Sequence, residues 1–137
     1  DGIREFGAFF CETTFQRGVL ADRVRLVIHE LLENAVKYSE SEWSEIEFSM
    51  QTVGETFEIA VSNYPSEEAA EQLVAELELL QDLEAEASYR NALARAAAGP
   101  PGESKLGLAR VRYESQVELS VLRLDDGLIR VTARGNL

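Results

Sequence analysis

A chain of 137 residues, 45% hydrophobic and 28% charged, has the size of one domain and enough apolar material to bury a core unaided. Its 13 basic against 25 acidic side chains, a net charge of −12, argue against nucleic acid and against an anionic membrane surface, since both reward Lys and Arg. No apolar run approaches the ~20 residues of a membrane helix and nothing at the start reads as a signal peptide, so no membrane insertion and a cytoplasmic location are expected.

One cysteine, Cys11, excludes an internal disulfide, and one Cys with one His, His29, is too small a ligand set for a zinc site. The single methionine is Met50, so the chain does not begin at a translation start and reads as trimmed or as part of something longer. Such an acidic chain suits a protein partner with a basic or mixed face, and leaves a homodimer open.

In chain order, Ile3, Phe6, Phe9, Phe10 and Phe15 predict a helix over about 3–16 that ends at Gly18, with a strand as competitor because aromatics and Thr are frequent. The stretch 21–39, ADRVRLVIHELLENAVKYS, organises the rest. Asp22 is a good N-cap. Val24, Ile28, Leu31, Ala35 and Tyr38, with Leu20 and Val27 beside them, make an apolar stripe that must face a core. Arg23, Glu30, Asn34 and Lys37 stack within about 60° of arc on another side. Those types suit a nucleoside triphosphate held with a divalent cation. A carboxamide oxygen at Asn34 is a hard ligand for magnesium, Glu30 can act as a general base, and Lys37 offers a point charge to phosphate. The competing reading is a solvated face whose i,i+4 pairs only support the helix. His29 is expected to point away from this group and to be structural.

Residues 45–53 alternate, with Ile46, Phe48 and Met50 on one side, and 56–61 repeat the pattern after a turn at Gly54, which predicts an antiparallel hairpin with one wet face. NYPS at 63–66 is a loop whose Ser66 caps a helix over 66–83. In that helix Ala70, Leu73, Val74, Leu77 and Leu80 face inward, and Glu67, Glu68, Glu71, Glu76 and Glu78 are assigned to the outer face. A second helix over 84–98 ends at GPPG. GESKLGLARVRYES then places Gly107 and Leu108 ahead of a short helix over 108–114, and two strands, 116–124 and 128–133, flank an Asp-Gly turn.

HELLENAVKYS resembles the N-box helix of the GHKL superfamily, which includes histidine-kinase and Hsp90-like ATPases and the anti-sigma-factor serine kinases. The resemblance implies Glu30 as general base, Asn34 as magnesium ligand and Lys37 as a phosphate contact. At the G1 box, where the family carries an Asp that contacts adenine, this chain has Asn63, with Tyr64, Pro65 and Ser66 in place of glycines. An Asn carboxamide still offers adenine a donor and an acceptor. The G2 box is matched by Gly107, Leu108 and Ala109, with Lys105 where a glycine is expected and able to reach phosphate instead. Residues 66–101 take the place of the family's variable lid.

The resemblance spans the chain. It implies one α+β domain over 1–137, a two-layer sandwich of the Bergerat type, with a mixed, mostly antiparallel sheet and helices on one face. The altered G1 sequence and long helical insert look most like SiaB-type bacterial protein kinases. The implied activity is phosphorylation of a Ser or Thr on a small partner protein, with ATP and magnesium, in partner-switching signalling. The alternative, carried by Asn63, Pro65 and Lys105, is a non-catalytic scaffold that docks a protein without nucleotide.

Overall fold

The computed structural model describes residues 14–40, 45–99 and 106–137. Helix α1, Thr14–Tyr38, runs unbroken for 25 residues, about 37 Å. Val27, Leu31, Ala35 and Tyr38 are buried along it, with Leu20, Val24 and Ile28 half-buried beside them, so the stripe is the one the periodicity predicts. Two local stop signals are overridden. Gly18, expected to end one helix, and Asp22, expected to cap the next, both lie inside α1. An internal glycine costs about 1 kcal/mol relative to alanine. Burying a single Leu or Val side chain of the stripe returns about 1.5–3 kcal/mol, so the helix continues. Asp22 instead pairs with Arg25 one turn on, at 3.4 Å in solvent. The helix expected over 3–16 falls, as far as residue 13, outside the described residues, as does Cys11.

Strands β1 (Glu47–Val53), β2 (Thr56–Asn63), β3 (Glu118–Arg123) and β4 (Ile129–Asn136) form one sheet in the order β1-β2-β4-β3. All its ladders are antiparallel, where the family resemblance implies a mixed sheet. Both hairpins close as the turn chemistry requires: Gly54 and Gly127 take φ of +62° and +93°, and Asp126 accepts the Leu128 N–H. Alternation then sorts the faces of β2 and β4, whereas β1, expected to have one wet face only, is exposed along its whole length, with Phe48 and Met50 among its exposed residues. Phe57, Ile59 and Val61 of β2 pair with Gly135, Ala133 and Val131 of β4, and these side chains are buried on the face that receives α1. On the other face the Glu58–Arg134 ion pair and an Arg130 to Ser62 hydrogen bond cross between β2 and β4. The result is an α+β sandwich with an antiparallel sheet.

Helices α2 (Glu67–Gln81), α3 (Ala85–Ala98) and α4 (Leu106–Glu114) complete the described elements. Ser66 caps α2 by accepting the Ala69 N–H, as its sequence position predicts. Arg112 of α4 donates to the carbonyls of Leu80 and Leu83 and to Ser88 Oγ, placing a cation at the negative end of α2. Gln81 Nε2 donates to the Leu119 carbonyl of β3 at 2.6 Å. The segment expected to form a lid is therefore tied at the end of α2 to both α4 and the sheet.

Candidate functional site

The polar flank of α1 divides into an anchoring half and an open half. Arg23 belongs to the first. Its Nε donates to the Ser115 carbonyl at 2.8 Å and an Nη to the Asn136 carbonyl at 3.2 Å, and its guanidinium lies 5.7 Å from the Phe57 ring centre. Ser115 returns a bond from Oγ to the Arg23 carbonyl at 3.1 Å. Arg23 thus fastens α1 to the turn after α4 and to the end of β4, and shares no ligand site with the rest of the flank.

The open half is a trough of about 570 Å³ along α1, closed on its other sides by Gly107 and Leu108 of α4 and by Glu76 of α2. Glu30, Asn34 and Lys37 all line it. The Glu30 carboxylate lies so close to Gly107 that a Cβ at that position would overlap it, and the carboxylate would have to swing aside to admit one. A carboxylate at this place faces the first turn of α4, the favourable end of a helix for negative charge. Its field also reaches Arg110, whose guanidinium is held above its ordinary range chiefly by the hydrogen bond to Glu114 and in smaller part by Glu30. Lys37 Nζ sits 5.4 Å from the Tyr38 ring centre.

Three side chains, His29, Glu76 and Asn63, sit otherwise than the sequence reading places them. His29, expected to point away, lines the same trough, with Nε2 3.5 Å from Glu33 Oε1. At 100° per residue His29, Glu33 and Glu30 fan over about 100° of the helix, so a trough wider than the polar stripe collects all of them. Their ligand atoms lie within 4.8 Å of one another, a set of one imidazole and two carboxylates able to hold a divalent metal, though His29 and Glu33 are solvent-exposed. Glu76, assigned to the outer face of α2, is buried at 8% exposure. It accepts the Tyr38 O–H at 3.5 Å, and Tyr38 is pushed up to about 12, first by burial and then by the Glu76 charge and hydrogen bond. The signal for Glu76 was its place beside Leu73 and Leu77 on the stripe, which a helical wheel puts at the boundary.

Asn63 is the third. It is 3% exposed on the helix-facing side of β2 and does not line the trough. Its Nδ2 donates to the Ala35 carbonyl at 3.0 Å and to Ser39 Oγ at 3.4 Å, while Ser39 Oγ donates to the same Ala35 carbonyl at 2.6 Å. Next to it, Ser39 and Pro65 form an isolated bridge and the Glu40 N–H bonds the Tyr64 carbonyl. Asn63 thus closes the last turn of α1 onto the sheet. Lys105, the remaining phosphate contact implied by the resemblance, lies outside the described residues. Searches against protein-family models and against curated proteins find no match for this chain. No described helix is long and apolar enough to cross a membrane.

Proposed function

We propose that the chain is a GHKL-type regulatory domain that binds Mg-ATP in the α1–α4 trough and transfers the γ-phosphoryl group to a Ser or Thr of a small protein partner. The supporting observation is the grouping of Glu30, Asn34 and Lys37 with Gly107 and Leu108 around one space of about 570 Å³, large enough for a nucleotide. Among these, Asn34 offers magnesium a carboxamide oxygen, and magnesium supplies charge neutralisation on the phosphates. Glu30 accepts the proton of the attacking hydroxyl, the hydroxyl oxygen bonds to phosphorus, and the bond to ADP breaks. Lys37 steadies phosphate oxygens as a point charge.

A second reading has its own observation. The Asn63 carboxamide, which the resemblance assigns to adenine, spends its N–H on Ala35, favouring a scaffold that docks a protein without nucleotide. Calorimetric titration with magnesium and a non-hydrolysable ATP analogue, on the wild type and on Asn34→Ala, separates the two. Micromolar binding that the substitution abolishes supports the kinase; no heat from either protein sinks it and leaves the scaffold.

A further inference from the structure

One Cys and one His are too few for a structural zinc site, which takes all four ligands from the protein, chiefly as thiolates and imidazoles. An open site needs only three protein donors with water in the fourth place, and carboxylates then count. His29, Glu30 and Glu33 of α1 meet that requirement, with one donor atom from each within 4.8 Å of the others.

The His29 and Glu33 pair sets the geometry. His29 Nε2 and Glu33 Oε1 lie 3.5 Å apart, longer than the ~2.7–3.2 Å of an ordinary N–H to oxygen hydrogen bond. Two donors each about 2.1 Å from a tetrahedral ion are separated by about 3.4 Å. The pair therefore already stands at the bite of a small divalent cation, and the i,i+4 offset on one unbroken helix holds it there. Both side chains are exposed, so an ion reaches them without any opening of the fold. Glu30 is half-buried on the same trough wall, and its carboxylate completes the set by moving in no more than about 1.5 Å.

The imidazole decides which ion is held. Magnesium and calcium take oxygen shells, whereas imidazole suits zinc and its transition-metal neighbours. We infer that His29, Glu30 and Glu33 form a site for a divalent cation of the zinc and cobalt class on the wall of the trough, with water in the remaining position. The site is separate from the magnesium position proposed at Asn34, whose carboxamide is not among its donors, and it stands whether or not the trough takes nucleotide. The net charge of −12 favours arrival of a cation.

Zinc titrated into the whole chain at neutral pH, in competition with a chromophoric indicator, tests this in a Cys11→Ser background that removes the only thiol. One zinc per chain is expected, bound in the micromolar range and undisturbed by millimolar magnesium. His29→Ala, Glu33→Gln and Glu30→Gln each weaken it about tenfold or more, since losing a direct ligand costs at least as much as losing an outer-shell partner. Glu71→Gln, which removes an exposed carboxylate of α2 outside the cluster, leaves the affinity unchanged. A circular-dichroism melt checks that each variant folds. Binding no tighter than millimolar overturns the inference. So does an affinity that His29→Ala leaves unchanged, or that Glu71→Gln lowers as much as the others, which is unspecific attraction to an acidic surface. A Glu30→Gln variant that binds zinc like the parent overturns the three-donor site.

Discussion

Asn63→Asp sets the geometry of this chain against the family resemblance. The GHKL pattern has Asp at this strand end, so by resemblance alone the substitution restores an adenine contact. The packing requires the opposite. Asn63 is 3% exposed and its Nδ2 is a donor to the Ala35 carbonyl at 3.0 Å, a role that a carboxylate cannot fill. Losing that hydrogen bond costs about 1 kcal/mol, and burying a carboxylate against a carbonyl with its partner unsatisfied adds about 1–3 kcal/mol. The total of about 2–4 kcal/mol corresponds to a fall of roughly 6–15 °C in Tm for a domain of this size. Urea titrations of wild type, Asn63→Asp and Asn63→Ala at neutral pH apportion it, because the alanine variant loses the bond without gaining the charge. Burial raises the pKa of the new carboxyl in the folded state, so the charge penalty grows as pH rises above the ordinary carboxylate value of about 3.9 and is absent below it, where the carboxyl is protonated in both states. An Asn63→Asp variant within about 0.5 kcal/mol of wild type at neutral pH, against the 2–4 kcal/mol expected, would refute the assigned role.

Two further outcomes follow from the trough. Tyr38 is pushed up to about 12 by burial and by Glu76, so its neutral form is favoured in the folded state. Its stabilisation is complete below about pH 10, the unfolded value, and is lost as pH rises through about 12; Tyr64 is also raised, chiefly by its hydrogen bond to Asp126, so ultraviolet phenolate titration should show late-ionising tyrosine, and Tyr38→Phe should remove the part near 12. Gly107→Ala forces the Glu30 carboxylate out of its position. With helix propensity favouring alanine by up to about 1 kcal/mol, stability changes little. Phosphoryl transfer to the partner should slow about tenfold or more, as misplacing a catalytic group by about 1 Å does, while calorimetric affinity for the magnesium and ATP analogue changes little; an unchanged transfer rate would remove Glu30 from the proposed base role.

The trough also bears on how the site should be probed. Arg23 lies on the same helical wheel sector as Glu30 and Asn34 yet binds the backbone at Ser115 and Asn136, so losses on replacing it report folding. Asn34 and Lys37 line the open trough and report ligand more directly.

The sequence by itself determined the elements. The stripe of α1, the two hairpins with the alternation of β2 and β4, the Ser66 cap and the Asp-Gly turn are local patterns and are realised as expected, whereas β1 takes its place in the hairpin but buries neither face. It also determined that Glu30, Asn34 and Lys37 share a helix flank, because helical pitch is the same wherever the helix sits. Only the tertiary structure decided that α1 runs through Gly18 and Asp22, that β4 lies between β2 and β3, and that Glu76, His29 and Asn63 face what they face. Periodicity records which side of an element must leave water, whereas the partner waiting there is supplied by residues tens of positions away, such as the Ala35 carbonyl that takes the Asn63 amide. A buried polar group satisfies whichever partner packing brings within reach, and no local pattern encodes that distance.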